Sequence, residues 1–119
     1  MTLILRTRLH VLPEKQKEVL QTLLSLIELP GMDGCLSYDI FGDIEDNTIF
    51  SLISEWQSRR QLNRHMSSER FSVLLGTRSL LSEQLKIRIF TVSDMEGKEA
   101  VNAVRKRETP LGRFTGEGA

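Results

Sequence analysis

Alternating and helical segments follow one another in the order strand, helix, strand, strand, helix, strand, and that order leaves this chain very few folds. Residues 2–12, TLILRTRLHVL, set Leu3, Leu5, Leu9 and Val11 against Arg6, Arg8 and His10. A period of two marks a strand with one buried face. Residues 13–29 carry Val19, Leu20, Leu23, Leu24 and Ile27 at helical spacing. Pro13 suits the first turn of that helix, where its missing N–H costs nothing, and Pro30-Gly31 ends it. Residues 35–42, CLSYDIFG, and 48–56, TIFSLISEW, predict two strands paired as a hairpin across the short polar link at 43–47. Ser58, with Gln61 three residues on, predicts a capped helix start. Leu62, His65 and Met66 share one face of that helix, Ser67-Ser68 interrupts it, and Phe71, Leu74, Leu75 and Leu81 continue the apolar stripe. Residues 84–92, QLKIRIFTV, alternate again.

This is the split βαβ arrangement. Right-handed crossovers place the first and third strands side by side in the middle and both helices on one face. The expected fold class is therefore α+β: a ferredoxin-like βαββαβ domain over residues 1–92, with a four-stranded antiparallel sheet and two helices on one face. Residues 93–119 form a C-terminal tail. Within it, 98–106 (KEAVNAVRK) predicts a short helix with Ala100, Val101 and Val104 as a narrow stripe.

Two helices on one face leave the other uncovered. The alternation puts Arg6, Arg8, His10, Asp39, Glu55, Lys86 and Arg88 there, with Phe41, Ile49 and Ile53 between them. Parity on the third strand is ambiguous, since Phe50 and Leu52 are as apolar as Ile49 and Ile53. A face this apolar between its charges is costly to expose, which predicts a partner and specifically a homodimer through the sheet faces. Val101, Val104, Leu111 and Phe114 have no place in the six-element core and are expected to pack on the partner subunit.

Composition narrows the function. Sixteen basic residues balance sixteen acidic ones, against a general binder of nucleic acid or anionic membrane. A base-stacking sheet would need aromatic residues on its central strands, where this chain has Arg6, Arg8, Ser51 and Ile53. One cysteine, Cys35, allows no intrachain disulfide and reads as a small apolar filler, and with two distant histidines it gives no metal-ligand spacing. No signal peptide and no membrane-spanning stretch is visible, so a cytoplasmic protein is expected.

The pattern Pro30-Gly31-x-x-Gly34-Cys35-x-Ser37-Tyr38, a strand ending Glu55-Trp56, Leu62-x-x-His65 and Ser68-x-x-Phe71 resembles the antibiotic biosynthesis monooxygenase-like family, its quinol-monooxygenase branch especially. The resemblance spans residues 2–92. It implies a dimeric α+β barrel, in which two sheets face each other, and for several members oxygenation by O2 without metal or flavin. A haem-degrading branch carries an Asn and a His where this chain has Thr7 and Leu75, so only Trp56 of that set is retained.

Cofactor-free oxygenation of a quinol or anthrone-like phenol needs a base, donors for the resulting anion and a dry aromatic pocket. His65, whose ordinary pKa is about 6.5, is the candidate catalytic base; it can equally be a helix histidine bonded to backbone near the serine break. Trp56, Tyr38 and Phe71 are the candidate substrate-binding residues. Trp56 is expected at the core rim, walling a pocket or closing the core. Tyr38 shares parity with Leu36 and Ile40, so its ring faces the helices and its hydroxyl needs a substrate oxygen or a backbone carbonyl. Phe71 is core first and pocket lining second. The alternative to an enzyme is a binding module of the same fold for a small hydrophobic or aromatic ligand. A cavity filled by Leu75 and Met66 would favour that module.

Overall fold

A computed structural model describes residues 1–28 and 31–108. Four strands, β1 (Thr2–His10), β2 (Cys35–Gly42), β3 (Ile49–Trp56) and β4 (Lys86–Val92), form one sheet in the order β2-β3-β1-β4. All neighbours run antiparallel, with β1 and β3 central. Helices α1 (Gln16–Glu28), α2 (Arg59–Met66) and α3 (Glu69–Gly76) follow β1 and β3, and α4 (Lys98–Glu108) lies beyond β4. This is the ferredoxin-like α+β fold that the segment order predicts. Among the described residues no helix is long and apolar enough to cross a membrane.

The core lies between the helices and one sheet face. Leu3, Leu5 and Leu9 of β1 and Phe50, Leu52 and Trp56 of β3 are buried against Val19, Leu23 and Leu26 of α1, Leu62 of α2 and Phe71 and Leu74 of α3. Phe50 and Leu52 therefore settle the parity of β3, and Ile49 and Ile53 take the other face. The stripe on α1 departs from the expected one: Leu26 is buried, while Leu24 and Ile27 are 47% and 38% exposed. The helix begins only at Gln16, after a 3-10 turn over Pro13–Lys15, and Val19, Leu23 and Leu26 then follow an i, i+4, i+7 line. Pro30, read as the stop, lies outside the described residues. On β1 the ladder ends at His10; Val11 donates its N–H to the Thr48 carbonyl and makes an isolated bridge to Leu81.

β2 carries a second departure. A bulge between Cys35 and Ser37 leaves Leu36 outside the pairing register, 56% exposed, instead of in line with Tyr38 and Ile40. Cys35, Tyr38 and Ile40 pack on the core. The bulge thus brings Cys35 opposite Trp56 and Tyr38 opposite Ser54.

Serines punctuate the second crossover. Ser58 accepts the Gln61 N–H and caps α2. The Ser68 hydroxyl accepts the Phe71 N–H and donates to the His65 carbonyl, so it starts α3 where α2 stops. The break turns α3 so that Arg70, Phe71 and Leu74 are buried.

On the opposite face the register aligns Asp39, Ile53, Arg6 and Arg88 in one row across the sheet, and Phe41, Ser51, Arg8 and Lys86 in the next. Phe90, on the β4 edge, lies under the Arg6 guanidinium at 5.5 Å. In the tail, α4 exposes Val101 and Val104, and Leu111 and Phe114 lie outside the described residues.

Candidate functional site

Trp56 ends β3 on the helix side and is 1% exposed, buried in the core where a rim position was expected. Burial is affordable because its indole N–H donates to the Ser54 hydroxyl at 2.9 Å, two residues back on the same pleat face. His65, on the last turn of α2 and 6% exposed, stacks on that indole with ring centroids 4.4 Å apart and planes 27° from parallel. Tyr38 meets the imidazole edge-on at 6.0 Å and Phe71 does so at 5.5 Å. The four residues singled out from the sequence thus form one aromatic cluster. The backbone bonds near the serine break go to the His65 carbonyl, from the N–H and hydroxyl of Ser68, and not to its ring.

A cavity of about 390 Å³ opens on this cluster. Trp56 and His65 form part of its wall; Gly31, Met32 and Asp33 of the α1–β2 connection face them, and Gln61, Arg64, Ser68, Glu69 and Arg70 complete it. Tyr38 and Phe71 stand behind His65 and do not line it. Leu75 and Met66 pack on the core and do not fill it.

Arg70 is the positive group that acts on all three titratable side chains around the cluster. Arg70 is 9% exposed, and its guanidinium lies near enough to Tyr38, Cys35 and His65 to favour the less positive or more negative form of each. Burial outweighs it for Tyr38 and Cys35, whose pKa values rise. For His65 burial and Arg70 act together and push the pKa down to about 4. At neutral pH the imidazole is uncharged, and a buried positive charge stands next to the cavity. The hydroxyl of Tyr38, expected to meet a substrate oxygen or a backbone carbonyl, makes no hydrogen bond among the described residues. No group of three or more His, Cys, Asp or Glu able to hold a metal ion is found among them either.

Arg70 and Gln61 are the residues that reading the sequence missed. The signal for Arg70 lay in spacing: it stands four residues before Leu74 of the apolar stripe, so a helix restarted at Ser68 sets both on one face. Gln61 was read only as a cap. It also packs against Gly34, whose φ of +79° and lack of a side chain leave room for it.

The profile of the family described as Antibiotic biosynthesis monooxygenase matches residues 2–75. No curated protein matches the chain. Among solved structures, a conserved protein from Methanosarcina mazei Go1 is 25% identical, with a TM-score of 0.70 over 76% of this chain and 91% of that one. PA3566 from Pseudomonas aeruginosa is also 25% identical, with a TM-score of 0.68 over 78% and 95%. A crystal structure described as an antibiotic biosynthesis monooxygenase is 24% identical with a TM-score of 0.70, over 77% and 99%, a likeness of fold.

Proposed function

Since this chain belongs to the antibiotic biosynthesis monooxygenase family, we propose that it oxidises a small aromatic or quinol-like molecule with O2 and without a cofactor. The observation that carries this reading is a cavity of about 390 Å³ that reaches a histidine uncharged at neutral pH. A flat ring lies against Met32 and the Trp56–His65 stack. His65 takes a proton from the substrate hydroxyl, and the charge of Arg70 favours the resulting anion.

The electron-rich ring then reduces O2 itself. A C–O bond forms at a ring carbon and the O–O bond breaks. One oxygen atom stays on the ring, and the other leaves as water with two protons from the substrate. All four electrons come from the substrate as quinol becomes hydroxyquinone, so no further reductant is needed.

An oxygen electrode with a panel of quinols and anthrones tests this. The expected result is one O2 consumed per substrate, with heavy-oxygen label from O2 divided equally between product and water. One observation favours a second reading, a non-catalytic binding module: a base with a pKa of about 4 is poorly matched to a phenol at neutral pH. Tight binding of a quinol with no oxygen uptake would decide for the module.

In the same reading the uncovered sheet face joins two copies. Asp39 and Glu55 lie on the β2–β3 half, and Arg6, Arg8, Lys86 and Arg88 on the β1–β4 half. A two-fold axis running along the strands near the centre of the face brings each half against its complement, which gives a self-complementary, isologous interface.

A further inference from the structure

A second cavity, of about 480 Å³, adjoins the one at Trp56: the two have Asp33, Gln61 and Arg64 in common, and Gln57, Ser58 and Arg60 complete the second. The two differ in character. Met32, Trp56 and His65 give the first an apolar inner wall, whereas every residue lining the second is polar or charged. Gln61 is fixed at the junction: its side-chain oxygen accepts the Ser58 hydroxyl at 3.0 Å, and a Cβ on Gly34 would fall 2.2 Å from its Cδ. Among the charges of the second cavity, Arg64 pairs with Asp33 at 3.5 Å. Arg60 makes no ion pair among the described residues, so the balance there is positive.

We infer that the two cavities hold one ligand, an aromatic ring system bearing a carboxylate, with its ring against Trp56 and His65 and its carboxylate at Arg60 beyond Gln61. This rests on the proposed role of the first cavity and adds the substrate class. An arginine fork suits a carboxylate because two N–H groups meet two oxygens in one plane. The same arginine gives no advantage to an uncharged ring, so it discriminates by substituent.

Calorimetric titration of the full chain with naphthol and with hydroxynaphthoate tests the inference. Hydroxynaphthoate should bind about fivefold more tightly, the scale of one solvent-reached charge pair with hydrogen bonds. The Arg60→Gln variant should lose that preference while keeping its affinity for naphthol, and Arg60→Lys should keep part of it. Arg59→Gln, a charge loss on the same helix away from both cavities, should leave the preference intact. Equal affinity of the wild type for the two ligands, or a preference that survives Arg60→Gln, overturns this inference and leaves the first cavity's role standing. Failure of both ligands to bind overturns the two together.

Discussion

The imidazole of His65 lies flat on the indole of Trp56, 4.4 Å between centroids, and the indole in turn donates to Ser54. The contact joins the last turn of α2 to the last residue of β3. It also removes one face of the imidazole from water, which penalises the charged ring.

Acid should therefore destabilise the protein through His65. Its pKa falls from 6.5 to about 4 on folding, so between these values the unfolded chain binds more protons than the native one. Stability contributed by the neutral ring is complete above about pH 6.5 and is lost as pH falls towards 4, amounting to roughly 2 kcal/mol once the cavity's access to water is allowed for. Urea melts between pH 7 and pH 4 should show this slope in the wild type. In a His65→Phe variant the part due to this residue should vanish; an unchanged slope would assign it to other groups.

The same pKa makes a kinetic forecast. If His65 is the base, kcat/KM for a phenolic substrate should stay level from pH 7 down to about 5 and fall only as pH nears 4, where an ordinary histidine would already have cut the rate below about 6.5. His65→Ala should lower the rate by about 10²–10⁴-fold. Trp56→Phe should weaken binding more than turnover. Melting curves must accompany both, because each ring belongs to the core.

How much of this was legible follows from periodicity. Strand order and the helix-facing side of β1 were written in clean alternation, and Ser58 and Ser68 marked their helix starts by chemistry that acts within three residues. Leu36 was misplaced because a bulge changes parity without leaving a mark in the sequence. Leu24 and Ile27 were misplaced because a leucine-rich helix offers more than one apolar line, and packing chooses between them. The His65–Trp56 approach was inferred from shared side, but the opening of a cavity beside them depends on where the 31–34 turn runs. Arg70 was passed over since charge ordinarily signals solvent, and only the serine break shifts it to a buried phase.

Ser54→Ala should cost about 1–3 kcal/mol, since it leaves the buried Trp56 N–H without its acceptor. Ser54→Thr keeps a hydroxyl and should recover much of the loss. Thermal melts of the two variants separate this from a simple effect of volume.

Gly34→Ala should be harmful twice over. A φ of +79° costs a residue with a side chain about 1–2 kcal/mol, and the added Cβ would overlap the Gln61 side chain. Gly31→Ala has a similar φ of +77° and open space around it, so it carries the backbone penalty alone. Recovery of stability in a Gly34→Ala, Gln61→Ala double variant would assign the excess loss over Gly31→Ala to the clash with Gln61.

The uncovered sheet face leads to the last prediction. Ile4, Ile53 and Phe90 share that face with Arg6, Arg8 and Arg88, and Phe41 and Phe90 are large apolar residues exposed in the single chain. Leaving such a surface in water is unfavourable, and like charges facing like would be worse. A second copy turned about a two-fold axis relieves both, because the acidic β2–β3 half then meets the basic β1–β4 half. Sedimentation at micromolar concentration should give about twice the 13.6 kDa chain mass. Ile53→Glu puts a bare carboxylate near the centre of the interface, twice by symmetry, and should yield monomers with the fold intact by circular dichroism. Ile44→Glu, on the fully exposed hairpin turn, should leave the association unchanged. A stable wild-type monomer at these concentrations would refute the dimer. A dimer that survives Ile53→Glu would move the interface off this face.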